Sequence, residues 1–129
     1  IYGIALDSEY LLSGEGSAKN GKVRLWLLSD LLADSMKANS QCRVGFNEHS
    51  AIVWSVALAT NLGYGLSASA DTTTKVWPLS TSQGNRGEPI RSVKTLVHPE
   101  TVFSVSVNGE LAATGCGDGR VSARYTHFP

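Results

Sequence analysis

The sequence predicts an all-β chain built from repeated four-stranded antiparallel sheets, and three observations carry that expectation. One is composition: among 129 residues there are 16 Ser, 9 Thr and 13 Gly, and only 17% of residues are charged. Ser, Thr and Gly favour turns and strand edges over helix interiors. Another is an internal period of about 50 residues, within the range of stacked repeat architectures. The last is that apolar residues come in short β-branched and aromatic runs bounded by turn residues, the signature of strands.

The innermost strand of each repeat opens on the same pattern: β-branched, aromatic, small, β-branched. It reads Ile1-Tyr2-Gly3-Ile4, then Val53-Trp54-Ser55-Val56, then Val102-Phe103-Ser104-Val105. Turns follow at Asp7-Ser8-Glu9 and Val107-Asn108-Gly109-Glu110, where Asn108-Gly109 is a hairpin signal because a primed turn needs positive φ at both central residues. The second strand reads Leu11-Leu12-Ser13-Gly14, Gly65-Leu66-Ser67-Ala68 and Ala112-Ala113-Thr114-Gly115. Ala70-Asp71-Thr72-Thr73 and Gly117-Asp118-Gly119-Arg120 then form hairpin turns into a third strand, which closes on Trp26, Trp77 and Tyr125. In the first repeat the corresponding loop, 17–21, is longer by a few residues.

A weaker fourth strand is expected at 41–46, before His49, and at 92–97, before His98. The segment Leu27 to Met36 competes as a helix, since Leu27, Leu28, Leu31, Leu32 and Met36 share a face. Asp30, Asp34 and the polar run behind it limit it to a turn or two inside a connection. The stretch 80–89, with Gly84, Asn85, Gly87 and Pro89, is expected to be a long polar loop. The resulting order is four strands, four strands and three strands, eleven in all.

A four-stranded sheet with apolar residues on both faces cannot bury them alone, and radial stacking of such sheets into a β-propeller is a common solution. Propellers take roughly four to eight blades to close. Two blades and a third lacking its outer strand therefore imply an open ring, completed by further blades of the same parent chain or of other chains. The chain begins at Ile1 and not at Met, which also predicts a longer parent.

The motifs in register resemble the WD40-repeat family. The second repeat is the fullest match, with His49, Val53, Val56, Leu66-Ser67-Ala68-Ser69-Ala70-Asp71 and Lys75-Val76-Trp77. The third runs from His98 through Val102, Val105, Ala112 to Asp118, and Val121, to Tyr125. The first keeps Ser13-Gly14 and Val23-Arg24-Leu25-Trp26. On this resemblance the whole chain, 1–129, is a WD40 repeat region with blades at 1–46, 47–97 and 98–129, the last lacking its outer strand.

The resemblance also implies a structural hydrogen-bonded set of His, Ser/Thr, Asp and Trp within a blade: His49, Ser67, Asp71 and Trp77 in the second. Its chemistry is sound, because an indole N–H only donates, an ionised Asp only accepts, and His and Ser can bridge them. The third repeat offers His98, Thr114, Asp118 and Tyr125, with a phenol in place of the indole. The first offers Ser13 and Trp26 without an Asp. A set repeated per blade explains a structural role better than one active site, and no strained Ser elbow of the G-x-S-x-G kind occurs. No catalytic residue and no cofactor are expected. Dispersed His49, His98 and His127 and the isolated Cys42 and Cys116 lack zinc-ligand spacing, so no metal is expected either.

The expected function is a non-catalytic protein–protein interaction scaffold that presents loops and channel-mouth residues to a peptide or protein partner. Tyr2, Trp54 and Phe103 are the candidate aromatic contacts, since aromatics make good interface anchors. An alternative reading uses basic residues that recur on the third strand, Lys22, Arg24, Lys75, Arg120 and Arg124, to read a phosphopeptide or nucleic acid. The net charge of zero, 11 Lys+Arg against 11 Asp+Glu, makes a nucleic-acid partner unlikely, because such binding rests on neutralising many phosphates. Ser50 to Ala70 is free of charge and His but broken by Ser, Thr, Asn and Gly, so no membrane span is expected. Two separate thiols and the absence of an Asn-x-Ser/Thr site fit a reducing intracellular setting, cytoplasmic or nuclear.

Overall fold

A computed structural model of the chain describes residues 1–33, 44–79 and 91–125. Eleven strands run β1 (Gly3–Leu6), β2 (Tyr10–Ser17), β3 (Asn20–Leu27), β4 (Val44–His49), β5 (Val53–Ala59), β6 (Tyr64–Ser69), β7 (Thr73–Pro78), β8 (Lys94–Val97), β9 (Val102–Asn108), β10 (Leu111–Cys116) and β11 (Val121–Tyr125). They form three antiparallel sheets in sequence order: β1-β2-β3-β4, β5-β6-β7-β8 and β9-β10-β11. None of the three closes on itself. A short helix α1 (Leu28–Ala33) follows β3, and a single 3₁₀ turn (Thr60–Leu62) joins β5 to β6. Cys42, the 80–89 loop and His127 lie outside the described residues.

Burial patterns show how the sheets stack. In β3 the pattern alternates: Gly21, Val23 and Leu25 are buried, while Lys22, Arg24 and Trp26 on the other face are only partly covered. That is the period of a sheet with one covered face. In β6 every residue from Gly65 to Ser69 is buried, because the second sheet is flanked on both sides. Leu12, Val23, Leu25 and Phe46 of the first sheet pack against Val53, Val56, Trp77 and Leu79. On the other face, Ala57, Leu66, Ala68 and Val76 pack against Val102, Val105 and Ala112 of the third sheet. Each fully buried Val or Leu stabilises this stack by about 1.5–3 kcal/mol.

The small residue after each aromatic has a steric reason. A Cβ on Gly3 would lie 3.0 Å from Ser55 Cα, so the inner strands approach closely there. One step along, the Ser55 hydroxyl is placed 3.2 Å from the Val105 amide N–H, which donates to it across the next junction. Gly14 is equally constrained, its absent Cβ falling 2.6 Å from Val53 Cγ1.

Several turns differ from the sequence expectation. Asn108 pairs with Leu111, so the β9–β10 turn centres on Gly109-Glu110, one residue later than expected. Only Gly109 has positive φ there (59°), which suits a turn needing glycine at its first central position alone. The extra residues at 17–21 lengthen the β2–β3 hairpin instead of forming a loop, with Ser17 opposite Asn20 across a two-residue tip. β4 continues to His49, three residues past its expected end, because Gly21 at the base of that longer hairpin pairs with His49. The turns before β7 and β11 place Thr72 (φ 76°) and Gly119 (φ 86°) at the same left-handed position.

Candidate functional site

Two groups of side chains stand out at the start of the inner strands. One is a buried polar chain that runs from His49, at the end of β4 in the first sheet, into the second sheet. His49 and Ser67 are almost fully buried, and Trp77 is 0% exposed. The Trp77 indole N–H donates to Ser67 Oγ at 2.7 Å, and Ser67 Oγ lies 2.6 Å from His49 Nε2. His49 Nδ1 lies 2.8 Å from Asp71 Oδ2. The indole only donates, so Ser67 Oγ accepts its proton, and the spacing suits an assigned tautomer with Nδ1–H towards the carboxylate and Nε2 accepting from the Ser67 hydroxyl. Asp71 also accepts from the Thr73 amide (2.9 Å), the Thr73 hydroxyl (2.6 Å) and the Ser50 amide (3.1 Å). Phe46 stacks on Trp77 at 4.6 Å between ring centroids and 20° between planes.

The electrostatics follow from these partners. Burial alone raises the Asp71 pKa, but hydrogen bonds from His49 and Thr73 and the attraction of His49 outweigh it and hold the carboxyl well below the usual carboxylate range. The unfolded Asp titrates at about 3.9, so this stabilisation is complete above that value and is lost progressively as pH falls below it through the lower folded value. His98 is shifted down by burial and by the Arg124 charge. Its contribution is present above the unfolded value of about 6.5 and is lost as pH falls below it. Acid is therefore expected to lower the urea midpoint in two stages, the first below pH 6.5 and the second below pH 4. Asp71→Ala should shrink the second stage, leaving the part due to Asp7 and Glu48, whose carboxyls are also held low, and should cost about 1–3 kcal/mol at neutral pH through unsatisfied buried donors. An unchanged urea curve for Asp71→Ala would contradict this.

The other repeats differ. In the first sheet, Trp26 Nε1–H donates to Ser13 Oγ at 3.2 Å, and among the described residues no Asp or His extends the chain. In the third, His98 Nε2 pairs with Thr74 of the second sheet at 3.2 Å, and no hydrogen bond joins it to Thr114 or Asp118. Asp118 is drawn instead to Arg120, accepting from its amide at 2.9 Å and facing its Nε at 3.4 Å. The Tyr125 side chain lies outside the described residues. His98 and Thr114 line one small pocket, but no hydrogen bond links His98, Thr114 and Asp118 into a set like that of the second repeat.

The second group is a row of aromatics spanning all three sheets. Tyr2 meets Trp54 edge-on at 4.9 Å, and Trp54 meets Phe103 at 5.9 Å. Tyr2 and Phe103 are each 53% exposed, while the Trp54 Nε1 is buried without a hydrogen-bond partner. The row follows from the repeat: equivalent positions on successive inner strands become neighbours when the sheets stack. The recurrent basic residues do not gather in the same way. Arg24 pairs with Glu15 at 2.7 Å, and Lys75 binds Thr95 at 3.1 Å beside Glu48 at 3.7 Å. Lys22 lies opposite Glu15 in the ladder, and Arg124 is exposed on β11 beside His98. These carboxylate pairings lend no support to a cationic stripe.

Sequence reading missed Glu48, whose carboxylate accepts from the Ser92 amide (2.7 Å) and hydroxyl (2.8 Å) and so ties β4 to the approach to β8. No local motif signals it, because its partner is 44 residues away. Among the described residues, no three His, Cys, Asp or Glu side chains gather as a metal-binding group, and no helix is long and apolar enough to cross a membrane.

A family model described as "WD domain, G-beta repeat" matches residues 40–78 and 87–122, more than half of the chain. Among solved structures, the WD40 domain of coronin from Toxoplasma gondii is similar with a TM-score of 0.76 at 20% identity, covering 96% of this chain and 32% of that one. The computationally designed Ika8 protein is similar with a TM-score of 0.67 at 21% identity, covering 95% of this chain and 32% of that one. At such identities the likeness concerns the fold, and the chain spans about a third of the length of each. No curated protein matches the sequence.

Proposed function

The chain belongs to the WD40-repeat family, and on that premise we propose that it is a non-catalytic protein-interaction scaffold whose aromatic row, Tyr2, Trp54 and Phe103, receives a segment of a peptide or protein partner. The row is the observation that supports this reading. Two of its rings are half-exposed, they sit on rigid neighbouring strands, and a buried indole N–H beside them lacks an acceptor. Rings already held in place lose little freedom on binding, so more of the contact energy appears as affinity. WD40 propellers are generally non-catalytic interaction platforms, and the His–Ser–Asp chain beneath the row acts as a brace in this reading. A first repeat boundary moved from 46/47 to the end of β4 at His49, a second at 97/98, completion of the ring by further blades, and an intracellular setting belong to the same proposal. The free thiol of Cys116 suits a reducing compartment.

Peptides selected from a random display library against the 129-residue chain test the proposal. Phe103→Ser should leave folding intact, because the ring is 53% exposed, and should weaken the selected peptides by about tenfold or more. Their affinity should change little with salt, unlike that of a phosphate-reading surface. Affinity that ignores Phe103→Ser and Tyr2→Ala would contradict the reading.

A further inference from the structure

A cavity of about 210 Å³ lies at the opposite end of the inner strands, between the turns of all three sheets. The strands β1, β5 and β9 run side by side in one direction: Tyr2 meets Trp54 where β1 and β5 begin, and Asp7 accepts a hydrogen bond from the Thr60 hydroxyl where they end. The seven residues of β5 separate the two ends by roughly 20 Å, at about 3.3 Å per residue. Its lining is more polar than apolar, with Asp7, Thr60 and Asn61 set among Leu58, Leu62 and Val107. Asp7 is the one charged lining residue, and no Lys, Arg or His balances it within the lining.

We propose that this cavity is a docking site for a lysine side chain of a partner polypeptide. Asp7 Oδ1 already accepts the Glu9 amide at 2.8 Å and the Tyr10 amide at 2.7 Å, which fills both of its lone pairs. Oδ2 accepts Thr60 and keeps one lone pair. A guanidinium needs both carboxylate oxygens for its fork, whereas an ammonium is a point charge that one oxygen can receive. The apolar part of the lining, Leu58, Leu62 and Val107, can take the four-carbon stem while the ammonium head finds the carboxylate. The volume is also below the roughly 300–1,000 Å³ of pockets for drug-sized ligands, which favours one side chain over a free small molecule. Burial works to raise the Asp7 pKa, but the Thr60 hydroxyl and the amides of Tyr10 and Glu9 prevail and keep the carboxyl ionised and aimed before any ligand arrives. This site stands whether or not the aromatic row binds anything.

The test is an amide NMR titration of the full 129-residue chain, in the oligomeric state in which it purifies, with Nα-acetyl-lysine methylamide. The expected result is saturable shifts at Asp7, Thr60, Asn61 and Gly109, and affinity weaker by about tenfold or more for the neutral norleucine analogue. The arginine analogue should also bind more weakly than lysine. Asp7→Asn, which keeps an acceptor for both amides, should abolish the preference for lysine over norleucine. Absence of saturable shifts, or equal affinities for lysine and norleucine, would overturn the proposal using the wild-type chain alone. A folded Asp7→Asn that retains the lysine preference would do the same.

Discussion

Trp77→Ala is expected to cost about 3–5 kcal/mol, the range for removing a fully buried large aromatic. Three losses coincide there. The indole fills the junction between the first and second sheets among Leu12, Val53 and Leu79. It carries the stacked Phe46. It also supplies the N–H that starts the chain through Ser67 to His49 and Asp71. Trp77→Phe separates these terms: it keeps most of the volume and the stack but deletes the donor, and should cost about 1–2 kcal/mol. Trp26→Ala should cost less than Trp77→Ala, since Trp26 is only partly buried and its bond to Ser13 is longer. Urea midpoints of the three variants give the comparison. Equal losses at Trp26 and Trp77 would show that the second sheet holds no special buried centre.

Gly21→Ala should be the most damaging small substitution, at the upper end of the roughly 1–3 kcal/mol typical of overpacking. A Cβ at Gly21 would run into the Ala51 carbonyl oxygen and lie 2.8 Å from His49 Cβ. The first obstacle is backbone and cannot rotate away, so the strand pairing of Gly21 with His49 must open. That displaces the residue on which the polar chain of the second sheet depends. Gly45→Ala is the control, on the partner strand β4 with nothing within 4 Å of the added carbon, and should be near neutral. Similar urea midpoints for the two alanine variants would contradict the close approach.

Much of this was legible in the sequence, and the limits have physical causes. The eleven strands and their grouping follow from short-range signals: β-branched and aromatic runs, turn residues and a common period. The His49, Ser67, Asp71 and Trp77 positions follow from a motif whose members are complementary donors and acceptors. What did not follow was anything decided by which strand neighbours which. His98 meets Thr74 of β7, the strand that pairs with β8, and not Asp118 of its own repeat. The contact between Asp7 and Thr60 joins residues 53 apart that local pattern cannot connect. The turn after β9 moved by one residue because strand register, not the Asn-Gly pair, chose its centre.

The outer faces of the stack bear most directly on the idea of an unfinished ring. Ile4 and Leu6 are 62% and 60% exposed on one side, and Val121 is 78% exposed on the other, where β11 is the edge strand among the described residues. Exposed apolar faces and open edges drive association. Sedimentation of the purified 129-residue chain over a range of concentrations measures this. The expected result is a mass that rises with concentration above the 13.7 kDa of one chain, and falls back towards it when Ile4→Lys and Val121→Lys are combined. A single 13.7 kDa species at every concentration, melting cooperatively, would mean that the three sheets are complete without further blades.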